Sequence, residues 1–281
     1  MGLNLFDSSF LKVVCSGLIP CAIVSVGLLV FRNIFIAMFM MHWIGMIPVA
    51  VGVCVYNRGV AGLVFYRDYL IQQKILKDVI ALSALLILGT SVIVGMYVAD
   101  SCKTHAWALC VGRVDERISQ YGFHDSPRWL VVLCGIYFPL VNPFIEEMFW
   151  RVFMIAETSV SRTDTPQPDE EAQKLVCEKT GEDNDAKVYL KTEEQFPLQK
   201  AIVFGMLYAS YHTLVVGILL GGWLYAAVSF LLVSGLGVVF HWLMFSWDPA
   251  RGFYRAVFLH AGIDLGIVIA LADSVGWIHL V

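Results

Sequence analysis

The sequence predicts an all-α, polytopic transmembrane helix bundle of about seven to eight spans. Three observations carry that prediction. Only 15% of the 281 residues are charged and 58% are hydrophobic, with a mean hydropathy of +0.72, whereas a soluble domain carries about 25% charged residues. Apolar runs repeatedly reach about 20 residues, the length that crosses a hydrocarbon core at ~1.5 Å per residue. The hydrophilic residues collect in two segments, 99–128 and 157–200, instead of alternating with apolar ones.

The spans fall in order at 13–31, 34–56, 79–98, 129–156, 201–220, 223–245 and 256–275. The first is too long for the apolar region of a secretory leader and has no clear small-residue cleavage site. Met1-Gly2 begins like a myristoylation signal, but Phe6 stands where Ser or Thr is required. Arg32-Asn33 forms the hinge between the first two spans. Gly221-Gly222 separates the fifth and sixth, as a loop or as a break in one helix. Residues 99–128 mix Arg113, Asp115, Glu116 and Arg117 with Trp107 and Tyr121, a pattern for an interfacial amphipathic helix that could supply an eighth helix. Residues 157–200 hold 11 acidic and 6 basic residues and few aromatics, the composition of a solvated, largely disordered loop. The chain therefore divides into 1–128, N-terminal helices with an interfacial segment, and 129–281, a helical core interrupted by 157–200.

Charge in the loops favours the N-terminus inside, with 13 Lys and Arg inside against 5 outside, or 7 to 5 once the long 157–200 loop is set aside. The net charge of −4 and the lack of a basic patch argue against a nucleic-acid partner. The seven cysteines are scattered, with no CxxC or Cys/His cluster, and read as reduced packing residues. Gly205, Gly217, Gly235 and Gly237 are expected to let helices approach closely.

Charged groups at membrane depth are costly, about 2.5–3.5 kcal/mol each at a span centre on insertion scales, and so point to function. Span four carries Glu146-Glu147 followed by Arg151. Glu147 and Arg151 are four residues apart in the favourable acid-first order. Glu146 lies about 100° around the helix, free to face another span. Asn142-Pro143 reads as an N-cap and first-turn pair that restarts the helix just before the glutamates. Span five places Tyr208 and His212 on one face. Span seven does the same with His260 and Asp264, so that the carboxylate could hydrogen-bond the ring. Counted from the loops on one side, Glu146 lies ~16 Å deep, His212 ~18 Å, His260 ~8 Å and Asp264 ~13 Å. The four can meet in one layer, in a cavity expected to open toward 157–200. His42, His105, His124, His241 and His279 are read as hydrogen-bonded packing residues, and Tyr208 and Tyr211 as cavity lining.

These residues carry a resemblance. Glu146-Glu147-x-x-x-Arg151, Tyr208-x-x-x-His212 and His260-x-x-x-Asp264 are similar, in order and on separate spans, to the EExxxR, FxxxH and HxxxN/D motifs of the CAAX protease and bacteriocin-processing family of intramembrane peptidases. The match covers roughly 141–275. Tyr208 stands where Phe is usual, and Asp264 where the prenyl-peptidase branch has Asn. The acidic insert is not part of the family core, and the residues around the motifs do not imply a prenylated substrate.

The resemblance implies an intramembrane peptidase acting on a membrane protein or lipidated peptide at the lipid bilayer. Glu146 would be the general base on a water also held by His212. His260 would face the oxyanion, with Asp264 orienting it, and Glu147, Arg151 and Tyr208 would support them. No cofactor is implied; the alternative is zinc held by Glu146, His212 and His260, a chemically reasonable set of ligands. A non-catalytic adaptor or chaperone on the same fold is the competing function. A transporter using buried carboxylates is a third, disfavoured by the absence of repeats and paired broken helices.

Overall fold

The computed structural model describes residues 8–58, 63, 67, 70, 78–102, 120–123, 125–154, 198–220, 222–244 and 252–280. The described residues form helices joined by turns, with no strand. The helices are α1 (Ser8–Leu29), α2 (Ile34–Met40), α3 (Ile47–Arg58), α4 (Val79–Cys102), α5 (Arg128–Leu140), α6 (Asn142–Glu147), α7 (Leu198–Leu220), α8 (Trp223–Trp242) and α9 (Gly252–Ser274). A π-helical turn, Met41–Met46, joins α2 to α3, and a second, Met148–Phe153, continues α6. The expected loop 157–200 lies outside the described residues, apart from the first turn of α7. Most of the expected interfacial helix, 103–119, lies outside them as well.

The chain is an integral, multi-pass membrane protein. Five described helices are long and apolar enough to cross a bilayer: Ile34–Tyr56, Val79–Val98, Ala201–Ile218, Trp223–Trp242 and Gly252–Ser274. The pair Arg128–Leu140 and Asn142–Phe153 makes six if counted as one span bent by 41°. The expected seven to eight are not reached among the described residues. The first expected span corresponds to α1, whose apolar stretch among the fully described residues is Val14–Leu29 and after which the chain reverses. At that reversal Arg32 adopts φ 48°. Asn33 then caps α2, its Oδ1 accepting from the Phe35 and Ile36 amides at 3.0 Å.

Helices α7 and α8 form an antiparallel hairpin with Gly222 as the N-cap of α8, two helices and not one broken helix. A Cβ on Gly205 would sit 2.7 Å from the Ser234 carbonyl oxygen, and one on Gly237 would sit 2.9 Å from Gly205 Cα. Those glycines do serve close packing. Gly235 has nothing within 4 Å and does not.

Helices α4 and α9 run parallel. Arg255 Nε donates to Asp78 Oδ2 at 2.6 Å, Thr90 Oγ1 to the Gly262 carbonyl at 3.1 Å, and Tyr97 Oη to Asp273 Oδ2 at 2.8 Å. The sequence offsets of 177, 172 and 176 residues stay nearly constant, as two parallel helices require. Arg255, counted above among the loop charges, is instead buried in this ion pair. The contact is close because Gly89 and Gly262 present bare backbone to it. A Cβ on Gly89 would lie 2.6 Å from the Leu259 carbonyl oxygen, and one on Gly262 would overlap the Leu86 carbonyl. Gly262→Val is therefore expected to push α9 off α4, at a cost of about 1–3 kcal/mol or more from overpacking. The unfolding midpoint in mild detergent measures it, and a midpoint equal to the parent's would refute the close contact.

The ends of these elements fall into two groups. The Ile34 amide donates to the Tyr121 carbonyl at 3.1 Å, and the Phe123 ring lies 6.2 Å from Trp277. The 30–34 turn, the 120–123 segment and the chain end thus meet at one end of the bundle. Asp78 and Arg255 mark the other end.

Candidate active site

The site is built around the bend between α5 and α6. Pro143 has no N–H to give the carbonyl four residues earlier, at Pro139, so the helical ladder is interrupted there. Val141, not Asn142, is the N-cap of α6, and no side-chain cap bond forms. The expected capping role is lost because Asn142 is itself the first helical residue, and its side chain turns across to α9. Asn142 Nδ2 donates to Asp264 Oδ2 on α9 at 2.8 Å.

After the bend, Glu146 and Glu147 are both fully enclosed, at 1% and 0% exposure. They diverge as the 100° step requires. Glu147 Oε2 lies 3.4 Å from Arg151 Nε, the expected four-residue pair. The Arg151 guanidinium stacks 4.1 Å from the Tyr208 ring centroid and 5.3 Å from that of Phe240, which offsets part of the cost of burying it. Arg151 sits within the π-helical turn. The other carboxylate oxygen of Glu147 reaches His260 Nδ1 at 2.9 Å. A carboxylate accepts, so Nδ1 carries the proton and Nε2 is the ring atom left to serve the site.

Around that Nε2 lie the Tyr208 hydroxyl at 3.3 Å, Glu146 Oε2 at 3.7 Å and Asp264 Oδ1 at 3.7 Å. The expected hydrogen bond from Asp264 to the ring is therefore not made. Glu147 orients His260, and Asn142 holds Asp264 to the side. Glu146 Oε2 is buried without a hydrogen-bond partner. The Tyr211 hydroxyl is also buried without a hydrogen-bond partner.

His212 lies at the rim and is partly exposed. Its Nδ1 is 3.0 Å from the Tyr208 carbonyl, which can only accept, so its Nε2 is the acceptor when the ring is neutral. Glu146 lies within electrostatic reach of His212. The structure thus brings Glu146, Glu147, Arg151, Tyr208, His260 and Asp264 into one buried cluster with His212 beside it. The zinc set of Glu146, His212 and His260 does not form a ligand group here, since no three His, Cys, Asp or Glu side chains among the described residues are grouped as ligands would be. The expected opening toward 157–200 borders residues outside the described set.

Two residues of the cluster were not singled out as site residues from the sequence. Asn142 was read as a helix cap. His42 was read as packing, yet it is wholly buried with Nε2 3.8 Å from Glu146 Oε1. The signal available for His42 was its position in the middle of an otherwise apolar span.

Because Asp264 bonds Asn142 and not the ring, Asp264→Asn keeps an acceptor for the Asn142 amide. Only the difference between a charged and a neutral hydrogen bond is lost, about 1 kcal/mol of stability. Asp264→Ala strands the Asn142 amide and should cost more. The unfolding midpoint in mild detergent compares the two, and an Asn variant as damaged as the Ala variant would mean that the charge on Asp264, and not the acceptor alone, holds the contact.

The fold and the cluster together define a multi-pass helical membrane protein with a histidine–carboxylate site enclosed between its helices. In comparisons with protein-family models, with curated proteins and with solved structures, nothing matches the chain.

Proposed function

We propose that this chain is an intramembrane peptidase that hydrolyses a peptide bond of a membrane-associated protein or lipidated peptide, with Glu146 as the base. The observation that carries the reading is the division of labour between the adjacent glutamates. Glu147 hydrogen-bonds His260 at 2.9 Å and pairs with Arg151 at 3.4 Å, whereas Glu146 stands farther from its neighbours, 3.7 Å from His260 Nε2 and 3.8 Å from His42 Nε2. A base needs a free carboxylate oxygen beside an electrophile-stabilising group, and Glu146 with His260 supplies that pair.

In this reading Glu146 takes a proton from water while the water oxygen bonds to the scissile carbonyl carbon. The charge that develops on the carbonyl oxygen is met by His260 Nε2–H, with the imidazole protonated and held by Glu147. Collapse of the tetrahedral species breaks the C–N bond, and Glu146 returns its proton to the leaving amine. The order of the three motifs, similar to that of the CAAX protease and bacteriocin-processing family, supports the same assignment.

The test is accumulation of an uncleaved membrane-associated protein when Glu146→Ala replaces the parent in the same cells. Accumulation that depends on Glu146 supports turnover. An intact substrate profile, with the variant folded and inserted, would favour the non-catalytic adaptor. Prolonged chelation belongs in the same assay, where loss of cleavage restored by zinc would replace the water-only reaction with the zinc alternative.

A further inference from the structure

The strongest unassigned feature is a chain of polar groups that enters the site from the second span. His42 lies in the π-helical turn Met41–Met46 and is 0% exposed. Such turns are frequent where a side chain must leave the regular helical register for a functional site. Its Nδ1 is 2.9 Å from the Tyr137 hydroxyl on α5, and its Nε2 is 3.8 Å from Glu146 Oε1. Nε2 has no hydrogen-bond partner although it is buried. A histidine that merely packs is expected to satisfy its ring nitrogens, so an unpaired one aimed at a carboxylate calls for an explanation.

The tautomer follows from the partners. A carboxylate offers only lone pairs, so the ring atom facing it is favourable only when it carries the proton. In the neutral ring Nδ1 must then accept, which makes the Tyr137 hydroxyl the donor. The hydroxyl can do this because it carries one proton of its own to donate. Both groups thereby point a proton toward Glu146, Tyr137 through His42.

We infer that His42, oriented by Tyr137, is a positioning residue that holds the Glu146 carboxylate through Nε2–H and aligns it for its work as base. This rests on the peptidase reading for its catalytic consequence, but not for the contact itself. The 3.8 Å separation is long for a direct bond and closes by a small shift, as catalytic hydrogen bonds do when substrate enters. His42 and His260 then flank Glu146, one on each oxygen. The first holds the base while the second faces the reaction.

Two arms test it on the full chain in lipid nanodiscs. In the first, nitrogen NMR of the labelled His42 ring should give a protonated Nε2 and an accepting Nδ1. Glu146→Gln should shift the Nε2 signal and Tyr137→Phe the Nδ1 signal. A ring protonated on Nδ1 alone, or signals indifferent to both substitutions, overturns the proposal.

In the second arm, cleavage is compared in variants of equal unfolding midpoint. His42→Leu should lower kcat about 10- to 100-fold with KM nearly unchanged, the loss expected for one hydrogen bond to a charged group. His42→Gln, whose amide nitrogen reaches about as far as Nε2, should recover much of it. His42→Asn, which is shorter, should not. Equal activity of His42→Leu and the parent, where Glu146→Ala is inactive, also overturns the proposal. If Glu146→Ala instead cleaves normally, it is the peptidase reading that fails, and the NMR arm alone decides whether His42 holds Glu146.

Discussion

Glu146→Gln is expected to lower the cleavage rate by about 10²- to 10⁴-fold, the usual contribution of a positioned general base. The substitution keeps the size and shape of the side chain and removes only its capacity to take a proton. Glu146 sits among groups that tolerate a neutral amide. Two of its polar neighbours, His42 Nε2 and His260 Nε2, stand 3.8 and 3.7 Å away and make no tight bond that the change would break. The variant should therefore fold and insert like the parent, and the loss should appear in kcat. Single-turnover cleavage of a membrane-associated substrate measures it. A rate within a few-fold of the parent would remove Glu146 from the chemistry. Glu147→Gln makes the informative contrast, because it weakens both the Arg151 pair and the His260 bond, so its effect should be divided between stability and rate.

Arg151→Met should destabilise the folded bundle by about 3–5 kcal/mol, the cost of removing one member of a buried ion pair. The guanidinium is 3% exposed, pairs with Glu147 at 3.4 Å and stacks on Tyr208. Methionine fills much of the same volume but leaves the Glu147 carboxylate with His260 as its one remaining hydrogen-bonded partner. Lysine should rescue poorly, since its compact ammonium lacks the planar group that covers the Tyr208 ring. The double variant Glu147→Gln with Arg151→Met should recover part of the loss, because no unpaired charge then remains. The unfolding midpoint in detergent and the yield of folded protein give the readout. An Arg151→Met midpoint close to the parent's would mean that the pair contributes nothing to holding α6 in place.

Sequence alone determined that the chain is helical and crosses the membrane more than once, because apolar run length reports directly on a ~30 Å hydrocarbon core. It also determined the contacts made within a helix. The Glu147–Arg151 pair follows from a spacing of four, and the divergence of Glu146 from Glu147 follows from the 100° step. The co-location of Tyr208 with His212, and of His260 with Asp264, on single faces has the same origin.

Tertiary structure alone decided which of those faces touch. Helical periodicity carries no information on how far each helix rotates about its axis against its neighbours, so the partner of His260 could not be read from spacing. Asp264 shares its helix face, yet Glu147 from α6 makes the 2.9 Å bond, and Asp264 is drawn off by Asn142. The break at Pro143 was legible, but the direction of the 41° bend that turns Asn142 toward α9 was not. His42 was hidden for a further reason. It stands in a π-helical turn, where the register departs from the 3.6-residue period on which face assignment depends.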